Sequence, residues 1–173
     1  TTEIYTLSLH DALPIFYIEQ HDHYVKQTYR NRCNIAGPEG VLSLSVPIIR
    51  PDTPKCAMKD IRISDHGNWR HLHWNAIESA YSNTPFFEYY KDDLRPFYEN
   101  KYTFLADFNE ELRCKICELM DISPVVEHTA SYHTDFLPDE ADYREVIHPK
   151  KDYTEVDQDF LPTPYYQVFE SRH

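Results

Sequence analysis

Glycine is scarce in this sequence, with residues at positions 37, 40 and 67 alone. The glycine-rich loops that cradle phosphates in Rossmann and P-loop proteins need several glycines at fixed spacing before a helix. None of the three glycines falls in such a pattern. The sequence therefore excludes both of these nucleotide-binding motifs.

Long apolar runs and cysteines are also scarce. No segment approaches the roughly 18 continuous apolar residues that a membrane-spanning helix needs, and no signal-peptide pattern opens the chain. The four cysteines are too sparse for the disulfide framework of a small secreted protein. We therefore expect a cytoplasmic protein with no membrane span.

Positive charge is concentrated in one part of an acidic chain. The 173 residues carry a net charge of −12, yet residues 24–73 hold eight basic and four acidic side chains. A single basic island argues against a nucleic-acid partner, which needs a broad basic surface. It fits a compact pocket for one small anionic molecule, and it equally fits arginines that act as surface solubilisers or structural ion pairs.

The length predicts about one domain. Residues 1–15 resemble a translated sequencing adapter, so we expect a non-native segment there; a genuine strand and turn is the alternative. Residues 16–130 contain the periodic segments and are expected to form an α/β core domain. Residues 131–173 are acidic, contain prolines and have no sustained period, which predicts an extended C-terminal arm.

The predicted fold class is α/β, because short strands are mixed with two substantial helices. Two β-prone runs, 32–36 and 41–46, flank Gly37-Pro38-Glu39-Gly40, which predicts an antiparallel hairpin. We expect a mixed sheet with this hairpin and two main amphipathic helices, followed by an irregular acidic arm. Further strands are predicted at 16–19, 60–64 and 124–126, and helices at about 65–82 and across 91–119 with an interruption at Pro96.

The densest polar run follows the first predicted strand, and ligands usually bind at strand ends in open α/β sheets. Arginine donates hydrogen bonds in a planar fork that suits phosphate and carboxylate. In an extended segment, Arg30 and Arg32 lie on the same side and would grip one anion together. A cationic hairpin edge that discourages aggregation is the alternative. The candidate binding residues are Lys26, Gln27, Tyr29, Arg30, Asn31 and Arg32.

His71 and His73 are the candidate catalytic bases. Residues two apart on a helix point to different sides, so the two imidazoles do not act together. His73 falls on the same helix face as Trp69 and Ile77. The alternative to a catalytic role for it is that of a hydrogen-bonded histidine at the edge of the core. His71 faces elsewhere with Trp74, and both are candidates to border a cleft.

Two other short motifs predict no site. His21-Asp22-His23 has no third ligand at useful spacing, so we expect no metal. Cys114-Lys115-Ile116-Cys117 has the spacing of a redox motif but lies inside a predicted helix rather than at its start. We therefore expect two structural thiols and no cofactor.

A set of ordered motifs extends over most of residues 17–173. Its main members are Lys26-Gln27-Thr28-Tyr29-Arg30-Asn31-Arg32, Leu44-Ser45-Val46-Pro47, Ile61-Arg62-Ile63, Ile77-Glu78-Ser79-Ala80-Tyr81, Pro85-Phe86-Phe87-Glu88-Tyr89-Tyr90, Asp107-Phe108-Asn109 and Tyr165-Tyr166-Gln167-Val168-Phe169. As a set, these motifs resemble the WbqC-like protein family. Family members are similar to proteins of bacterial O-antigen and surface-polysaccharide clusters. The resemblance implies action on a nucleotide-linked amino sugar, as an acyl or aminoacyl transferase.

The resemblance also predicts that the chain is truncated at both ends. Family members usually open with a Tyr-Phe-Pro-Pro segment, where this chain has the adapter-like residues 1–15. They also continue past the Tyr-Gln-Val-Phe region. We therefore expect the family domain to extend beyond His173.

Two hypotheses for function follow. The first is a transferase in which the two arginines bind phosphate, Lys26 or Tyr29 assists, and one of the candidate histidines is the general base. The second is a non-catalytic binding or assembly protein of the same pathway. It would dock a partner through its aromatic run, although core packing is the interpretation we favour for the first two members. That run is Phe86, Phe87, Tyr89 and Tyr90.

Overall fold

The computed structural model describes residues 14–138 and 140–150. Most of the opening segment 1–15 and the whole motif 165–169 lie outside these residues. Two short 3-10 helices, Met58–Asp60 and His66–Asn68, precede the first α-helix. The strands and α-helices of the described parts are β1 (Ile15–Ile18), β2 (Arg32–Gly37), β3 (Gly40–Ser45), α1 (Trp69–Tyr81), α2 (Phe87–Leu94), α3 (Pro96–Glu99), α4 (Leu105–Leu119) and β4 (Val125–His128).

The α/β class is confirmed, and the strands are divided between two small sheets. β1 and β4 pair in parallel, with Ile15 opposite Val125. β2 and β3 form the expected antiparallel hairpin, in which Arg32 lies opposite Ser45. Its turn is tight because Gly40 has φ 117°, a left-handed value that glycine adopts without strain.

The strand expected at 60–64 is present as a hydrogen-bonded segment with two isolated bridges. Ile63 bridges Ile48, and Arg62 bridges Phe104. The chain is already turning in the 3-10 helix Met58–Asp60 just before this segment. The extended stretch is therefore too short to form a regular ladder with either neighbour.

The core forms where this segment meets α1 and α4. Ile61 and Leu105 are fully buried, and the Leu105 main-chain N–H donates to the Ile61 carbonyl over 2.9 Å. Burial of such a side chain contributes about 1.5–3 kcal/mol to folding. The buried cluster consists of Val46, Ile61, Ile63, Trp69, Phe97, Leu105 and Phe108.

Helix α1 is held by aromatic contacts on two of its sides. The Trp69 indole N–H donates to the Ser64 carbonyl over 3.0 Å and fixes the start of the helix. Trp74 is also buried, because its ring stacks against Phe87 of α2 and packs against Tyr98 of α3. The helix ends at Tyr81, one residue before the predicted end.

Helix α4 follows the predicted apolar stripe along only part of its length. Leu105 and Phe108 are buried in its first turn, whereas Ile116 is exposed near its end. Within 14–138 and 140–150, no helix is both long and apolar enough to cross a membrane.

The first part of the expected C-terminal arm is irregular. Residues 131–138 and 140–150 contain turns but no strand or helix. The arm is fastened to the end of β1 by Glu19, whose carboxylate accepts hydrogen bonds from the Thr129 hydroxyl and the His133 main chain. Arg144 adds an ion pair to the same carboxylate at 3.6 Å.

Candidate functional site

The predicted binding residues lie in a loop that leads into β2. Thr28 is buried at its centre, where its hydroxyl donates to the Val25 carbonyl over 2.8 Å and accepts from the Arg30 N–H over 3.4 Å. Gln27 adopts φ 60°, which makes the loop turn sharply. The loop is therefore a built turn rather than the extended segment assumed from the sequence.

Arg30 is committed to an ion pair with Asp22, and both side chains are 18% exposed. Its main-chain carbonyl accepts a hydrogen bond from the Asn109 amide of α4 over 2.9 Å. Asp22 therefore neutralises one of the two predicted anion-binding arginines. This role of Asp22 is not visible in the sequence, because only the fold of the turn brings the two side chains together.

Arg32 has a neutral partner where Arg30 has a carboxylate. Its Nε donates a hydrogen bond to the hydroxyl of Ser45 over 3.3 Å. Both arginines act on the phenol of Tyr24: burial raises its pKa, while the charges of Arg32 and Arg30 oppose that rise. Both arginine charges therefore act on the same phenol.

His73 lies at the edge of the same group of residues. The main chain of Ser45 accepts a hydrogen bond from its ring, and burial lowers the pKa of His73 below its ordinary value. Its ring also packs edge-on against Trp69 at 5.1 Å and Tyr98 at 6.2 Å between centroids. His73 is therefore uncharged at neutral pH, and Ser45 joins it to Arg32. We call Tyr24, Arg30, Arg32, Ser45 and His73 the hairpin cluster.

The other predicted binding residues take different positions. The Asn31 amide donates to the Val46 carbonyl over 2.8 Å, which gives it a structural role. Gln27 accepts a hydrogen bond from the Lys150 ammonium over 3.0 Å. Lys26 and Tyr29 are exposed on the outside of the loop.

His71 lies apart from His73, in the wall of a pocket between α1 and α3. Its Nε2 is 3.0 Å from the amide nitrogen of Asn75, one turn further along α1. The pocket has a volume of about 390 Å³. Residues that the sequence analysis did not single out supply most of its charge, namely Asp65, Arg70, Arg95, Glu99 and Lys101.

No metal site stands out in the described part of the chain, where no group of three or more histidine, cysteine or acidic side chains has suitable geometry. The His21 ring is 3.2 Å from the Thr129 carbonyl and belongs to the junction with the arm. Cys114 and Cys117 are free thiols on α4, the first exposed and the second half-buried.

The fold and this cluster define a small α/β protein with a basic turn beside an uncharged histidine. The WbqC-like protein family model matches residues 8–146, and the chain belongs to that family. It is 30% identical over 110 residues to the uncharacterized protein Rv1507c of Mycobacterium tuberculosis strain H37Rv. That match covers 63% of this chain and 47% of the relative, so the chain spans about half of the relative's length. No solved structure matches the chain.

Proposed function

We propose that the protein binds a nucleotide-linked amino sugar in O-antigen or surface-polysaccharide biosynthesis and transfers an acyl or aminoacyl group to its amine. The pathway is what resemblance to the WbqC-like family implies, and the chain belongs to that family. The observation that carries the site is the double role of Ser45, which hydrogen-bonds Arg32 through its side chain and His73 through its main chain. An anion-binding group and a candidate base are thereby held side by side.

Charge at the hairpin cluster suits a diphosphate. Asp22 offsets Arg30, but Arg32 is hydrogen-bonded to a neutral hydroxyl and keeps its full charge. Lys26 adds a second exposed positive charge on the same loop. Arginine binds phosphate oxygens in a bidentate manner, and a flexible lysine adds a point charge.

His73 suits the role of general base. Its lowered pKa keeps the imidazole neutral near pH 7, and the Ser45 carbonyl holds one ring N–H, which leaves the other ring nitrogen able to accept a proton. The sugar amine attacks the acyl carbon and a nitrogen–carbon bond forms. The bond from that carbon to the donor's leaving group breaks, and the proton from the amine passes to His73.

The same proposal includes a cytoplasmic location and a division of the chain into an α/β core, 16–130, and an arm, 131–173. The arm begins after the β4 strand that pairs with β1. In this view the core carries the ligand site, and the arm is fastened to it through Glu19.

The test is calorimetric titration of the protein with UDP-, dTDP-, GDP- and CMP-linked amino sugars. Replacing Arg32 by alanine should weaken binding about 10- to 100-fold, the effect of losing one charged hydrogen bond. Arg50→Ala, at an exposed position in the same basic island, is the matched control and should bind as the parent does. Equal affinity of Arg32→Ala and parent, or no binding of any of these sugars, would contradict the proposal.

A non-catalytic binding or assembly protein is the second candidate, and the aromatic run of α2 favours it. Phe87 is buried as expected for a core residue, but Phe86 is 64% exposed and Tyr89 is 76% exposed. The expectation of core packing is therefore wrong for Phe86, which immediately precedes the first residue of α2 and is directed to solvent. On this hypothesis, Phe86→Asp abolishes complex formation with proteins of the pathway and leaves nucleotide-sugar binding intact. An unchanged set of partners would count against it.

A further inference from the structure

The pocket between α1 and α3 holds an unbalanced set of charges. Three cationic side chains line it, those of Arg70, Arg95 and Lys101, against the two carboxylates of Asp65 and Glu99. Arg95 pairs with Glu99 at 2.6 Å. The remaining carboxylate faces two cations, so the pocket keeps one positive charge in a chain whose net charge is −12.

Asp65 is the shared carboxylate. It accepts from Arg70 Nη1 over 2.6 Å through one oxygen and from Lys101 Nζ over 3.0 Å through the other. Hydrogen bonds from Arg70 and then Lys101 hold the pKa of Asp65 below its usual range. The carboxylate therefore stays ionised and fixes both cations at the rim of the pocket.

Arg70 has hydrogen-bonding capacity that the described residues do not use. Its side chain is 13% exposed and its guanidinium stacks 4.7 Å from the centre of the Trp69 ring. Nε and Nη2 are buried and have no partner among the residues described. Unpaired buried donors are rare in folded proteins and call for an explanation.

The same pocket has two aromatic side chains in its wall. These are Trp74 and Tyr98, whose ring centroids are 5.8 Å apart and whose planes are tilted by 41°. Trp74 is largely buried, because one side of its ring stacks against Phe87. The Arg95 guanidinium lies 5.9 Å from the centre of the Trp74 ring. An aromatic ligand ring can pack edge-to-face against side chains in this wall while an attached anion reaches the cations.

We propose that the pocket between α1 and α3 binds a nucleoside monophosphate. In this site the phosphate contacts Arg70, Arg95 and Lys101, and the base lies beside Trp74 and Tyr98. The unpaired Nε–H and Nη2–H groups of Arg70 are the donors available to the phosphate oxygens. The volume of about 390 Å³ falls in the range of small-molecule pockets. None of the residues that line this pocket belongs to the hairpin cluster, although Tyr98 of its wall packs against His73.

The test is calorimetric titration with AMP and UMP, alongside inorganic phosphate and adenosine. Both nucleotides should bind, phosphate more weakly and adenosine more weakly still. The double variant Arg95→Ala with Lys101→Ala should lose at least tenfold in affinity. Both side chains are more than half exposed, so the double variant is expected to fold. Lys59→Ala, an exposed lysine on a 3-10 helix, is the matched control and should bind as the parent does.

An NMR titration gives an independent measurement. AMP should shift the Arg70 Nε–H resonance, which has no partner among the described residues. No binding of either nucleotide, or equal binding by the double variant and the parent, would overturn the proposal. Equal affinity for phosphate and AMP would overturn the placement of the base beside Trp74 and Tyr98. Arg32→Ala should leave AMP binding unchanged. The proposal for this pocket can therefore fail or succeed independently of the proposal that the hairpin cluster binds a nucleotide sugar.

Discussion

The hydroxyl of Thr129 donates a hydrogen bond to the carboxylate of Glu19 over 2.9 Å. These residues directly follow β4 and β1, so the contact joins the carboxyl ends of the two parallel strands. The Glu19 side chain is 8% exposed and also pairs with Arg144 of the arm. One buried carboxylate thus connects the strand pair to the C-terminal arm.

We expect Glu19→Gln to loosen the arm. The amide cannot accept from all the donors that the carboxylate serves, and a buried donor left unpaired costs about 1–3 kcal/mol. Arg144 packs over Tyr132 and Phe136, which are already partly exposed, so a looser arm should make both residues more accessible. Limited chymotrypsin digestion should therefore cut the variant faster at these two residues.

The control for this prediction is Glu127→Gln, at an exposed position of β4. It should digest at the parental rate. Burial raises the pKa of Glu19, but hydrogen bonds from His21, Thr129 and His133 outweigh that effect and lower it. The stabilisation that the ionised Glu19 carboxylate gives to the folded protein is therefore complete above the ordinary pKa of a glutamate. It is lost as the pH falls through the lower pKa that Glu19 has in the folded protein. Arm digestion that stays constant on acidification would contradict this account.

His73 should make stability depend on pH in the mildly acidic range. Burial lowers its pKa below the ordinary 6.5, so the unfolded chain binds the proton more readily than the folded one. The free energy of unfolding should therefore rise with pH up to about 6.5, and His73→Asn should remove that part of the rise. Urea titrations at several pH values measure the difference between variant and parent.

His66→Gln is the matched control, because His66 is an exposed histidine next to the start of α1. Its pH profile should follow that of the parent. A His73→Asn profile parallel to the parent's across this range would show that His73 does not titrate as described.

Asn31→Ala should act on stability rather than on ligand affinity. The variant leaves the Val46 carbonyl without the amide donor that now lies 2.8 Å away, at a cost of about 1–2 kcal/mol. Asn34→Ala removes an exposed 2.7 Å hydrogen bond with Ser43 in the same hairpin and should cost less. Thermal melting measures the loss of stability in both variants. If Asn31→Ala instead lost nucleotide-sugar binding and kept its stability, the binding role predicted from the sequence would be correct.

The sequence predicted the local elements well because their signals are local. The hairpin follows from Gly37 and Gly40 between two β-prone runs, and the helical character of α4 follows from the spacing of Leu105 and Phe108. The limits of the region predicted across 91–119 differ, because its first helix already begins at Phe87 and a second break separates Glu99 from Leu105. The different directions of His71 and His73 follow from helix geometry alone.

What the sequence did not predict depends on contacts between distant elements. Asp22 reaches Arg30 only through the turn around Thr28. Arg95 and Lys101 meet Arg70 only because α3 packs against α1. Neither contact leaves a periodic pattern in the sequence, so the pocket between α1 and α3 could not be predicted from residue spacing.

The parallel pairing of β1 with β4 has a consequence for the order of folding. Ile15 and Val125 are opposite each other, with all four helices and the hairpin between them in the chain. Closing so long a loop costs on the order of 4 kcal/mol of chain entropy before any contact compensates for it. We therefore expect the hairpin and helices to form first and this strand pair to close late, which makes it a slow step of the folding reaction.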